Sequence, residues 1–161
     1  MTRTISFTLN GEPVAAEIKP HHNLVELLQR EFNLLGARES CGQGMCGCCT
    51  VLVNGTAVSG CLYLAAFVDG AEVTTVESLA NGDTLSPVQE AFIEAGAFQC
   101  GYCTPGFVMA CKGFLDEHPN CTEEDVKHGL GGNLCRCGTY MGVRKAALQA
   151  AKTIKGGAKN G

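Results

Sequence analysis

The chain has 161 residues, 45% of them hydrophobic, no tryptophan and a formal net charge of −4. That length makes one domain or two small ones, with apolar residues enough for a core, and the acidic balance argues against a nucleic-acid partner. No run approaches the roughly 18–20 apolar residues of a membrane span, and Met1–Asn10 lacks the apolar stretch of a signal peptide.

The first half reads as β-rich. Ile5, Phe7 and Leu9 alternate with polar residues, Asn10-Gly11 follows, and Val14, Ala16 and Ile18 alternate again. Asn-Gly between two alternating runs predicts a hairpin. Asn23 is placed to cap a helix with Leu24, Leu27, Leu28 and Phe32 on one face. Thr50–Val53, Asn54-Gly55 and Thr56–Val58 predict a second hairpin, and Glu72–Val76 a further strand. A mixed sheet crossed by one helix is the β-grasp layout.

The second half reads as four helices. Ser86-Pro87 is a cap followed by proline at the first helical position, and predicts a helix over 88–98. Thr104-Pro105 repeats that device before Gly106–Asp116, and Pro119 closes the run. Thr122 opens a third helix with Glu123, Glu124 and Asp125 at its positive end. A fourth is expected over 141–154. The fold class is therefore α+β, with a boundary near Asn81-Gly82-Asp83. This divides the chain into a β-grasp part at 1–80, a helical part at 81–155 and a flexible tail at 156–161.

Eleven cysteines decide the chemistry. An odd number argues against a fully paired secreted framework, and in a reducing compartment such a pattern means metal. The cytoplasm is the expected location, with a periplasmic or membrane-associated complex reached only through a partner. Cys41, Cys46, Cys49 and Cys61 follow the plant-type spacing, three thiols in one glycine-rich loop and a fourth further on. Glycines at 42, 44 and 47 permit the positive φ and close approach that let amides donate to cluster sulfur. A structural zinc site shows two short pairs instead. Cys100, Cys103, Cys135 and Cys137 form a second quartet, whose spacing alone admits iron–sulfur, zinc or a redox dithiol. Cys48, Cys111 and Cys121 are read as small packing residues.

The polar singles add little. His21, His22, His118 and His128 read as solvated or helix-end residues, and Arg38 and Glu39 as a solvated face. Arg136 is divided between a cluster contact and a salt bridge. There is no nucleophile with a base and no phosphate loop, so no catalytic residue is assigned.

Three motifs together carry more than either spacing. Ser-Cys-Gly-x-Gly-x-Cys-Gly-x-Cys-Thr-Val at 40–51, Gln-Cys-Gly-Tyr-Cys-Thr-Pro-Gly at 99–106 and Gly-Asn-Leu-Cys-Arg-Cys-Gly-Thr-Tyr at 132–140 resemble the small iron–sulfur subunit of the molybdenum hydroxylases. That is the xanthine oxidase and aldehyde oxidoreductase family. The resemblance covers about residues 3 to 150. It implies an N-terminal β-grasp plant-type ferredoxin domain and a C-terminal four-helix domain, each with a [2Fe–2S] cluster. Cys41, Cys46, Cys49 and Cys61 would hold the first, and Cys100, Cys103, Cys135 and Cys137 the second. Gln99 and Cys137 would touch a molybdopterin cofactor held by a large catalytic partner. The chain would relay electrons from that partner to a flavin subunit or a cytochrome c. The alternative is a free-standing two-cluster carrier, against which the large helical half argues. Two departures stand out. Many members read Thr-Gly-Tyr where this chain has Gly138-Thr139-Tyr140, an order also seen in members that pair with a cytochrome. The family often has Ala where Cys48 stands.

Overall fold

A computed structural model describes residues 1–158. β1 (Arg3–Leu9) and β2 (Glu12–Ile18) pair antiparallel, Arg3 opposite Ile18 and Leu9 opposite Glu12. Their turn has positive φ at both Asn10 and Gly11, 53° and 87°, as a type I′ turn requires. α1 (Leu24–Phe32) starts on a full capping box: the Asn23 side chain accepts from the Glu26 amide at 2.8 Å, and the Glu26 carboxylate accepts from the Asn23 amide at 3.2 Å. β3 (Thr50–Val53) and β4 (Thr56–Ser59) form the second hairpin over Asn54-Gly55.

β5 (Glu72–Thr74) slots between β1, to which it is parallel, and β3, to which it is antiparallel. The sheet order is β2-β1-β5-β3-β4. This is the mixed β-grasp sheet, and α1 buries Leu24, Val25, Leu27 and Leu28 in its core with Ile5, Phe7, Ile18, Val51 and Val73. β5 is shorter than expected. Asn10 captures Thr75, accepting from its amide at 2.8 Å and donating to its hydroxyl at 3.0 Å, and a 3-10 turn follows at Val76–Ser78. A second 3-10 turn at Ala65–Val68 had no sequence signal.

The helical half contains α2 (Pro87–Glu94), α3 (Thr104–Glu117), α4 (Glu123–Gly129) and α5 (Tyr140–Ala158). Ser86 and Thr122 cap α2 and α4 as expected, each through a capping box. α2 stops short of Phe98 because the chain takes a left-handed turn at Gly96, φ 56°. Thr104 does not cap α3. The cap is Cys103, Thr104 is the first helical residue, and its Oγ1 is buried with no hydrogen-bond partner. α5 runs past the expected end at Ile154. Residues 159–161 of the expected tail lie outside the described residues. Val88, Phe92, Phe107, Leu115, Val143, Ala146 and Ala150 form the second core. α3 also lies along β3 and β4, where a Cβ on Gly113 would meet Leu52 Cδ2 at 2.9 Å. No helix among the described residues is long and apolar enough to cross a membrane.

Candidate metal centres

The chain from Ser40 to Cys49 wraps without regular structure, and the three glycines bend it. Gly42, Gly44 and Gly47 have φ of 63°, 73° and 68°, values that L side chains reach only with strain. The wrap turns amides toward sulfur: the Gln43 N–H donates to Cys41 Sγ at 3.5 Å. Cys61 arrives from the segment after β4, and its N–H donates to Cys49 Sγ at 3.5 Å. Cys41 and Cys46 influence each other's ionisation, as do Cys49 and Cys61.

The second quartet repeats this arrangement on helix ends. Cys100 and Cys103 occupy the tight turn into α3, with Gly101 at φ 80°. Cys135 and Cys137 occupy the turn into α5, with Gly138 at φ 77°. Cys100 lies against Cys137, and Cys103 against Cys135. Thr139 Oγ1 sits 3.1 Å from Cys135 Sγ, and the Cys135 N–H donates to the Tyr140 hydroxyl at 2.9 Å.

Each quartet supplies four thiols, two for each iron of a two-iron cluster. The eleven thiols are all free.

Their environments differ in an ordered way. The Gln43 amide holds Cys41 down to about 6 against the opposing effect of burial. Cys100 is lowered by the Tyr102 amide. Burial pushes Cys135 up, but hydrogen bonds from Thr139 and neighbouring thiols outweigh it and leave the thiol at about 7. Burial pushes Cys49 and Cys103 up to about 12. Each quartet therefore combines readily ionised thiols with protonated ones, which a bound metal would have to deprotonate.

The two quartets are locked against each other by contacts invisible in the sequence. The Leu134 N–H donates to Cys46 O at 2.8 Å. Asn133, buried, donates through Nδ2 to Gly47 O at 2.9 Å. Arg38 is half-buried: its guanidinium donates to Gly101 O at 2.9 Å and Tyr102 O at 3.2 Å and lies 5.5 Å from the Tyr102 ring centroid. In return the Tyr102 hydroxyl donates to Glu39 O at 2.8 Å. The expected solvated face at Arg38 is thus corrected to a bridge between the halves. The side-chain pairs are 63 to 86 residues apart, so only their place in or beside the cysteine motifs could have drawn attention to them.

The remaining candidates fall as follows. Gln99 is exposed, and its Nε2 donates to Cys137 O at 3.3 Å, so these two share one surface. Arg136 is exposed. His128 pairs with Glu124 at 3.0 Å on the surface of α4. Cys111 is fully buried in the helical core, and Cys121 packs against it.

A β-grasp sheet and a helical bundle, each presenting two thiol pairs, define a two-cluster iron–sulfur protein. Comparison with known proteins agrees in detail. Residues 7–80 match the 2Fe-2S iron-sulfur cluster binding domain, and residues 75–148 match the [2Fe-2S] binding domain. The chain is 46% identical over 155 residues to the xanthine dehydrogenase iron-sulfur-binding subunit of Escherichia coli O157:H7, covering 94% of this chain and 96% of that one. It is 40% identical over 149 residues to the nicotinate dehydrogenase small FeS subunit of Eubacterium barkeri, covering 92% and 95%. Among solved structures it superposes on quinoline 2-oxidoreductase from Pseudomonas putida 86 with a TM-score of 0.92 and 34% identity, covering 97% of this chain and 98% of that one. The chain belongs to the small iron–sulfur subunits of the molybdenum hydroxylase family, the xanthine dehydrogenases and aldehyde oxidoreductases.

Proposed function

We propose that this chain is the electron-transfer subunit of a molybdenum-dependent hydroxylase or dehydrogenase whose catalytic centre lies on a larger partner. Cys41, Cys46, Cys49 and Cys61 hold the first cluster, and Cys100, Cys103, Cys135 and Cys137 the second. When bound, these clusters supply one-electron exchange, which divides a two-electron oxidation into single steps. The observation that carries this reading is the clamping of two paired-thiol sets against each other. The Cys46 carbonyl accepts from Leu134, the residue next to Cys135. A carrier with one redox centre needs no such joint.

Exposed Gln99 and half-buried Cys137 sit together at the second quartet. In this reading they meet the partner's molybdopterin, the Gln99 amide by hydrogen bonding. Electrons then enter at the helical half and leave at the sheet half. Met45 and Leu62, each more than 60% exposed beside the first quartet, mark the exit toward a flavin subunit or a cytochrome c. The chain divides functionally at residues 80 and 81, and the helical part runs through α5 to Ala158. The thiol chemistry suits assembly in the cytoplasm. The site of hydroxylation, an aldehyde or an N-heteroaromatic carbon, is set by the partner's pocket.

Gel filtration of the protein purified from its native host tests this. Co-elution with a molybdenum-containing chain several times larger is the expected result. A stable, fully loaded monomer that exchanges electrons with soluble acceptors would replace the subunit reading with a free-standing carrier.

A further inference from the structure

Among the described residues the buried polar ones are Thr50, Thr75, Asn133 and Thr139. Three of them hold the fold. Thr50 and Asn133 both donate to the Gly47 carbonyl, and Thr75 accepts from Asn10. Thr139 does something else: its Oγ1 stands 3.1 Å from Cys135 Sγ. The chain around it is tied on both sides. Gly138 turns at φ 77°, and its N–H donates to Cys135 O at 3.3 Å. The Thr139 carbonyl accepts from the Val143 N–H at 3.0 Å as α5 begins. Tyr140 follows, its hydroxyl accepting from the Cys135 N–H at 2.9 Å and its ring standing edge-on to Phe107 at 6.2 Å. A β-branched side chain on so fixed a backbone has few rotamers, so the hydroxyl is held against the sulfur.

We infer that Thr139 is a positioning residue for electron transfer: its hydroxyl donates to Cys135 Sγ and raises the reduction potential of the second cluster. This rests on the ligand set proposed above. In the iron-free chain either atom could donate. A sulfur that coordinates metal carries no proton, so there the hydroxyl is the donor. A hydrogen bond to the ligating sulfur stabilises the reduced cluster, which carries one more negative charge, over the oxidised one. The family's commoner order, Thr-Gly, leaves no side chain at position 139, so this donor goes with the Gly138-Thr139 order of this chain. No electrons pass to or from Thr139 itself, and no further reactant is needed.

Potentiometric titration monitored by electron paramagnetic resonance (EPR), on the full chain carrying both clusters, tests this with Thr139→Val and Thr139→Ser. A Cys41→Ala chain, which loses the first cluster, identifies the signal of the second. Val keeps the branched shape and removes the hydroxyl. The reduced-to-oxidised ratio of the second cluster should then fall up to about tenfold at a fixed potential, a shift of about 59 mV to lower potential for one electron. The first cluster should not move. Ser keeps the hydroxyl and should stay close to the unmodified chain. Equal potentials in all three proteins, with iron content unchanged, would overturn the inference and leave the ligand set standing. So would an equal shift in Val and Ser, which would assign the effect to packing, or loss of the second cluster in Val alone, which would make the hydroxyl a structural support. An unmodified chain that takes up only one cluster would overturn the ligand set and the inference with it.

Discussion

Gly106 is where the joint between the two centres is most sensitive. It lies in the first turn of α3, just after Cys103. A Cβ built there falls 2.2 Å from Gly47 O and 3.0 Å from Cys48 Cα and carbonyl carbon, all of them main chain. No side chain can swing aside, so α3 and the first loop must separate by about 1 Å to restore ordinary contact. Overpacking of this kind is destabilising by about 1–3 kcal/mol, whereas alanine improves helix propensity by only about 1 kcal/mol. The clash wins. Gly106→Ala should lower the melting temperature of the loaded chain by several degrees, at about 2–4 °C per kcal/mol, followed by loss of visible absorbance. It should also weaken the spin–spin interaction between the two reduced clusters. Gly132→Ala, where nothing lies within 4 Å of the added Cβ, is the matched control and should melt with the unmodified chain. A Gly106→Ala protein with unchanged melting and unchanged spin coupling would refute the packing argument.

Arg38→Ala removes two hydrogen bonds to the Cys100–Cys103 turn; it should be destabilising by about 1–3 kcal/mol in a thermal melt, with Arg38→Lys intermediate because lysine lacks the planar fork. Equal melting of Arg38→Ala and the parent would contradict the bridge. In the iron-free chain, alkylation mapped by mass spectrometry at pH 7 should label Cys41 well before Cys49, Cys103 or Cys111, because the first is held to about 6 and the others are pushed to about 12. The Cys41 rate should fall as pH drops through 6, where its thiolate is lost; labelling of Cys49 ahead of Cys41 would contradict the assigned environments.

What was legible in the sequence was local. Asn10-Gly11 and Asn54-Gly55 specify type I′ turns through their own φ preferences. The glycines at 42, 44 and 47 announce the cluster loop because its tight wrap demands positive φ at those positions. Ser86 and Thr122 announce helix starts through residues three positions on. Thr104 misleads for the same reason: its sequence context is that of a cap, but the Cys100–Cys103 turn begins the helix one residue earlier. The joint is illegible because it is long-range. Nothing local to Arg38 or Asn133 says that their partners lie in the other half of the chain. Cys48, read as packing, is buried, but spacing does not reveal that its main chain meets Gly106 of α3.

The most direct measurement is EPR spin quantitation of the purified, dithionite-reduced chain alongside its iron content. The account predicts about four irons per chain and two distinct rhombic signals, each integrating to one spin. A single signal with about two irons, or a colourless protein containing zinc, would contradict it.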